Sequence, residues 1–268
     1  MGAEVKFYQV KIFSLIVCLM GVDFLRNVTF AIETVPVVKI ERQSPLSVSL
    51  LEQGVTHKLS ISKNIHDEID EIYTDFHLQD LNGDGVHEVV ATLDDHGSVN
   101  QCSKAYIVNL ADYSLDNLVF GNGPLCNHKV DQEYLISSYR DGAIWKQDIY
   151  KVEGRATQIV FADSCIGCGE VVRKKYDLDG GYFQYLAHDS RNFKERHPIF
   201  AMVSSMRAEV FSSPGVLSGK YLTRWDKVVV VQVDDSSSGI PWIKFRFEGE
   251  VITDGWIKCG DIEDCNNL

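Results

Sequence analysis

The segment Asp80–Glu88 (DLNGDGVHE) places oxygen donors at alternating positions, with Asp80, Asn82 and Asp84 at positions 1, 3 and 5. Donors at that spacing converge on one hard cation when the backbone curls around it. Gly85 sits where the turn needs positive φ, the carbonyl of Val86 supplies a further ligand, and Glu88 adds a carboxylate or holds a bound water. Carboxylate and carbonyl oxygens suit Ca²⁺ better than zinc or copper. Position 12 is Ala91, so the bidentate carboxylate of a helix–loop–helix calcium site is missing, and residues 87–93 read as a strand. The ion's expected role is structural, since it would order a loop whose carboxylates repel one another. The competing reading is an Asp/Gly-rich turn capped by its own side chains. A shorter echo, Asp177-Leu178-Asp179-Gly180, lacks later ligands and reads as a turn.

Seven cysteines give the second chemistry. Six lie beyond the first thirty residues: Cys102, Cys126, Cys165, Cys168, Cys259 and Cys265. An even count in an exported chain reads as a disulfide framework. Proximity in sequence suggests Cys102–Cys126, Cys165–Cys168 and Cys259–Cys265. The Cys165-Ile166-Gly167-Cys168 stretch is also compatible with a redox pair or half of a zinc site. Its flanks, QIVFADS and GEVVRKKY, look like strands, whereas a thioredoxin-type motif needs a strand–helix context.

Catalytic constellations are thin. Cys102 and Cys126 sit in strand or turn contexts, and His128, two residues from Cys126, forms no recognisable nucleophile motif. No GxSxG or HExxH occurs. The carboxylates are too numerous for sequence to pick a glycosidase pair. His66, His77, His87 and His96 recur at near-regular intervals that strand spacing explains as well as a metal cluster does. The expectation is a binding protein without enzymatic activity.

Charge sharpens that expectation. The chain has 268 residues, 38 Asp+Glu against 26 Lys+Arg, and a formal net charge of −12. This excludes nucleic acid as the natural partner, because binding it needs clustered Lys and Arg on phosphates, and it disfavours an anionic membrane surface. From Asn64 to Ser103 there is no Lys or Arg, while the stretch carries Asp67, Glu68, Asp70, Glu71, Asp75, Asp80, Asp84, Glu88, Asp94 and Asp95. Such a run is a solvated face, a cation site, or a dock for a positively charged protein.

These residues must be positioned by β-structure. After Lys6 and Lys11 the apolar run Ile12 to Val22 has the length of a signal-peptide core, with a cleavage site after Ala31. It falls short of the roughly 20 residues that span a bilayer. Lipidation at Cys18, or burial of the run as a strand or helix, are the alternatives. From residue 36 short β-type runs alternate with turn residues: VVKIE, SVSLLEQ, HKLSIS, HEVVATL, KAYIVNL, AIWKQDIYKV and TQIVFAD. No window shows a long helical period with caps. The fold class is all-β: a signal peptide at 1–31, an antiparallel β-sheet domain at 32–199 carrying the calcium-type loop, and a small barrel at 200–268, linked by the polar stretch 188–205. Residues 32–199 hold 26 acidic and 16 basic residues, and residues 200–268 hold 10 and 7, so most of the negative charge belongs to the first domain.

The segment DLNGDGVHEVV, the strand KAYIVNL and then YLISSYRDGAIWKQDIYKVEG resemble secreted bacterial β-proteins related to the periplasmic lysozyme-inhibitor family and to immunity proteins of that fold. The loop itself is similar to FG-GAP-type repeats. The resemblance covers about residues 70–165, with Ser138-Tyr139-Arg140-Asp141-Gly142-Ala143 matching a hairpin of the inhibitor-like proteins. It implies a periplasmic protein that binds and blocks a cell-wall hydrolase or secreted effector. No individual inhibitory residue is carried over.

Residues 206–262 resemble a bacterial SH3-like domain. The matching elements are Phe211 and Pro214, Lys220-Tyr221-Leu222 before Asp226-Lys227-Val228, Trp242-Ile243-Lys244-Phe245, and Gly255-Trp256-Ile257-Lys258. The resemblance implies a surface for peptidoglycan, with Tyr221, Trp225, Trp242 and Trp256 as groove candidates; burial is the competing role for Trp242 and Trp256. Two readings result: an immunity or inhibitor protein neutralising a basic peptidoglycan-degrading enzyme, or a wall-binding module without inhibitory activity.

Overall fold

Alternating and continuous apolar runs predict strands, and strands dominate. The computed structural model describes residues 35–93, 97–236 and 241–265, leaving out the side chains of Asp70 and Glu71. The expected signal peptide, its cleavage after Ala31, and Cys18 lie outside the described residues, as do Asp94, Asp95 and His96. Strands cover 60% of the described residues and helix 7%, which makes the class all-β.

The first sheet is a three-stranded antiparallel meander: β1 (Val37–Gln43), β2 (Leu46–Glu52) and β3 (Val55–Lys58). The second follows as β4 (Ser60–Ile61), helix α1 (Lys63–Ile72), β5 (Asp75–Gln79), β6 (Glu88–Thr92), β7 (Cys102–Asn109), β8 (Ser114–Leu118) and β9 (Leu125–Cys126). Its order is β4-β8-β7-β6-β5, with β9 pairing β7; β4 and β8 run parallel and the other pairings are antiparallel.

Helix α1 is a departure from the expected run of strands. The stretch HKLSIS, read as one strand, breaks at Leu59 into β3 and β4. Ser62 then caps the helix, its hydroxyl accepting from the Ile65 N–H at 3.4 Å. Ile65 and Ile69, one turn apart, are buried, and that single apolar stripe is all a ten-residue helix needs against a sheet.

Strands β6 and β7 are buried on both faces, which is why they read as near-continuous apolar runs. On one face Val89, Ala91, Tyr106 and Val108 pack under Val48 and Leu50 of β2 and Ile65 and Ile69 of α1. On the other, Val90 and Ala105 join Leu118, Phe120 and Leu125 against Leu135, Tyr150 and Val152 of the third sheet. Burial of this kind stabilises by about 25 cal/mol per Å² of apolar surface.

That third sheet is a six-stranded meander of β10 (Lys129–Asp131), β11 (Tyr134–Asp141), β12 (Ile144–Glu153), β13 (Ala156–Ile166), β14 (Glu170–Tyr176) and β15 (Tyr182–His188). A short 3-10 helix, Phe193–Glu195, follows, and its buried Phe193 packs on Ile136 and Ile149. The polar stretch expected as a link is thereby pinned to the sheet. The last sheet contains β16 (Phe200–Met202), β17 (Arg207–Ser213), β18 (Val216–Thr223), β19 (Lys227–Asp234), β20 (Trp242–Glu248) and β21 (Ile252–Lys258), ordered β16-β19-β20-β21-β17-β18. Its core, with Val210, Val230, Ile243, Phe245 and Ile257, also takes in Leu186 of β15. The described residues from Val35 onward belong to one compact unit.

Candidate functional site

The Asp80–Glu88 loop joins β5 to β6, and hydrogen bonds within it dictate its shape. Asp80 Oδ1 accepts from the Gly83 N–H at 2.7 Å and its Oδ2 from the Gly85 N–H at 3.0 Å. Asn82 Oδ1 accepts from the Asp84 N–H at 2.9 Å, and Asp84 Oδ1 accepts from the Val86 N–H at 2.7 Å. Gly85 has φ +85°, the left-handed turn that glycine favours. Glu88 reaches back beneath the loop, 1% exposed, with Oε2 accepting from the Leu81 N–H at 2.7 Å. Burial pushes its carboxyl up to about 7; the Leu81 hydrogen bond opposes this and the charges of Asp84 and Asp80 add to it. The donor chemistry of Asp80, Asn82, Asp84, the Val86 carbonyl and Glu88 fits a hard cation. In this structure the loop's side chains accept hydrogen bonds from its own backbone N–H groups, and among the described residues no three His, Cys, Asp or Glu side chains form a metal-binding group.

Around this loop the acidic stretch is divided. Asp67, Asp75 and Asp84 are exposed on α1, β5 and the loop, whereas Glu68 pairs with Lys104 and Glu88 is buried.

The three expected disulfides form: Cys102–Cys126 ties β7 to β9, Cys165–Cys168 closes the β13–β14 turn, and Cys259–Cys265 staples the end of β21 to the tail. Cys102 and Cys126 are therefore not thiol nucleophiles. His128 Nε2 lies 2.9 Å from Gln79 Oε1, and its ring stacks on His77 at 6.3 Å. Burial holds His128 below the usual histidine range, with the His77 charge as the lesser cause.

The hairpin Ser138–Ala143 forms the β11–β12 turn, with Gly142 at φ +60°. It is pinned to the loop before β7: Asn100 accepts from the Arg140 N–H at 2.7 Å and donates to its carbonyl at 3.0 Å. Tyr139 points back along the sheet and donates to Asp148 Oδ2 at 3.1 Å.

The four groove candidates separate. Trp242 is buried, edge-on to Phe211 at 4.8 Å, so core packing is its role. Trp256 is half-buried under the Lys244 ammonium. Tyr221 and Trp225 are exposed, with the guanidinium of Arg207 over the first at 3.9 Å and that of Arg224 over the second at 4.8 Å. Trp225 is 61% exposed at φ +75°, a strained conformation for a bulky residue. Hydrogen bonds from its N–H to the Val203 carbonyl (2.9 Å) and from the Thr223 N–H to Asp226 (2.7 Å) hold the turn.

Two polar features had escaped the sequence. Asp163, Arg173 and Arg196 form a buried ion cluster: Arg173 grips the Asp163 carboxylate through both Nε (2.7 Å) and Nη2 (2.6 Å), while Arg196 Nη1 donates to Asp163 Oδ2 at 2.6 Å. Arg173 also donates to the Phe193 and Arg196 carbonyls, locking the segment after β15. The second is a polar cavity of about 410 Å³ on the third sheet, lined by Asn122, Tyr139, Lys146, Asp148, Lys174, Tyr176 and neighbours. The available signal was a charged residue at an inward register position, such as Asp148, two residues before the buried Tyr150 on the same face of β12.

Among the described residues no helix is long and apolar enough to cross a membrane. Three disulfides point to an oxidising, exported environment. No protein-family model matches the chain, and no curated protein matches it. Among solved structures, one described as a Xanthomonas Type IV secretion system related protein aligns at TM-score 0.30 and 17% identity, covering 59% of this chain and 79% of that one. A likeness that weak assigns neither a family nor an activity.

Proposed function

We propose that this chain is an exported, periplasmic binding protein that neutralises a basic peptidoglycan-degrading enzyme or secreted effector, and that it has no catalytic role of its own. The observation carrying this reading is the acidic edge: Asp67, Asp75 and Asp84 stand exposed on three successive elements within a forty-residue stretch that has no Lys or Arg. Such an edge speeds encounter with a basic protein and repels acidic ones. Calcium at Asp80–Glu88 belongs to the same proposal as a structural ion that would fix the loop carrying Asp84. Calorimetric titration with Ca²⁺ tests it: saturable binding lost in Asp84→Ala is expected, and no heat of binding would remove the ion from the account.

For the main claim, the immobilised protein is offered purified basic hydrolases at rising salt. Retention that fades with salt and weakens in Asp67→Asn/Asp75→Asn/Asp84→Asn supports it; retention indifferent to both refutes the acidic edge as the dock.

A second reading, a wall-binding module acting through an SH3-like domain at 200–268, draws on Trp225, whose strained and exposed display suits a flat ligand. Co-sedimentation with purified sacculi, lost in Trp225→Ala and without effect on any hydrolase, would favour it over the first.

A further inference from the structure

The polar cavity on the third sheet has a layout that the acidic edge does not use. One face of that sheet begins at Leu135, Tyr150 and Val152, packed against the second sheet, and ends at Val172 and Leu186, beside the last sheet's core. Between these apolar margins the residues at inward register are polar, and the cavity of about 410 Å³ opens there. That volume falls among small-molecule sites, which run from about 300 to 1,000 Å³.

One row crosses the cavity floor in register: Asp148 pairs with Ala162, Ala162 with Lys174, and Lys174 with Gln184. The row puts a carboxylate and an ammonium two strands apart, about 10 Å between Cα atoms, with the smallest side chain between them. Among the described residues neither charge is in a salt bridge, although the Lys146 ammonium on the cavity wall acts on Asp148 from a distance. Asp148, 3% exposed, accepts among the described residues only from Asn122 Nδ2 at 3.2 Å and Tyr139 Oη at 3.1 Å. The neighbouring Lys146 is turned to Asp141 at 2.5 Å. Among the described residues Lys174 has no carboxylate partner, and its ammonium lies over the Tyr182 ring at 4.7 Å. A buried carboxylate without a cation is costly, and burial raises the Asp148 carboxyl above its ordinary range.

We propose that this cavity binds a small zwitterion of the amino-acid or short-peptide class. Its ammonium sits against Asp148, its backbone lies over Ala162, and its carboxylate meets Lys174. Tyr139, Ser164, Tyr176 and Gln184 line the same space and offer hydroxyl and amide groups to a peptide unit. Each end of such a ligand supplies the counter-charge that one wall lacks. The acidic edge lies on other elements, so this site stands or falls independently of it.

Calorimetric titration of the full chain with L-alanyl-L-alanine tests the assignment, alongside its N-acetyl form, which lacks the ammonium, and its amide, which lacks the carboxylate. Saturable binding of the zwitterion is expected, weakened about tenfold or more by capping either end. The same loss is expected in Lys174→Met, which removes the carboxylate's partner, and in Ala162→Leu, which fills the floor; circular dichroism establishes that both fold. Absence of saturation up to about 10 mM, equal binding of the capped forms, or unchanged binding in both variants would overturn the proposal.

Discussion

Asp163 is a single carboxylate facing two arginines, and all three side chains are at most 3% exposed. Removing one partner from such a cluster leaves uncompensated charge in the interior. Asp163→Ala should therefore lower the unfolding free energy by about 3–5 kcal/mol, read from the denaturant midpoint; a loss under about 1 kcal/mol, the worth of an exposed pair, would contradict its burial. Glu88 predicts a pH effect of definite sign. Its folded pKa of about 7 lies above the ordinary 4.5, so the folded state holds the proton more tightly. The resulting stability is complete below the ordinary value and is lost as pH rises through about 7. In the presence of a chelator the protein should be more stable at pH 5 than at pH 8, and Glu88→Gln should shrink that difference; an unchanged difference would place its cause elsewhere. At this scale the sequence showed Gly85's turn and suggested the Cys165–Cys168 and Cys259–Cys265 pairs, because glycine conformation and short loops are local; Cys102–Cys126, 24 positions apart, followed only as the remaining pair by proximity. It hid Asp148, Asp163 and Arg196, because what a charged residue faces depends on strands up to dozens of residues away.

Among the elements, β6 and β7 were legible from their apolar runs; in the third sheet Asp141-Gly142 and Glu153-Gly154 are local turn signals, and they sit at the β11–β12 and β12–β13 hairpins. Helix α1 was not. Its ten residues carry Ile65 and Ile69 amid charged neighbours, and Ser62 sits inside what reads as a β-run. Short helices draw their stability from packing rather than propensity, so their sequence signal is weak. The disulfides differ in what they constrain. Cys102–Cys126 joins positions 24 apart across β7 and β9, while Cys165–Cys168 spans 3. Loop-closure entropy then predicts a loss of about 3–4 kcal/mol for Cys102→Ala/Cys126→Ala and about 2 kcal/mol for Cys165→Ala/Cys168→Ala. Chemical denaturation of the two double variants checks the order. The reverse order would show that strand pairing, and not the closed loop, sets the contribution.

Across the whole molecule, charge and fold divide the work. The formal charge of −12 is concentrated before residue 200, and within that part the stretch free of Lys and Arg begins just after Lys63, the first residue of α1, and runs through β5, the Asp-rich loop and β6 to the first residues of β7. The arginine–aromatic pairs Arg207–Tyr221 and Arg224–Trp225 lie instead on the last sheet. The two proposed functions draw on these two features separately, the exposed carboxylates and the arginine–aromatic pairs. The proposed neutralisation of a basic hydrolase depends on the first. The most direct test is a turbidity assay in which a basic peptidoglycan hydrolase clears a sacculus suspension as this protein is added. Clearing should stop near one equivalent at low salt and return as salt rises or when Asp67, Asp75 and Asp84 are changed to Asn. Undiminished clearing across a panel of such hydrolases, at low salt and with excess protein, would contradict the account.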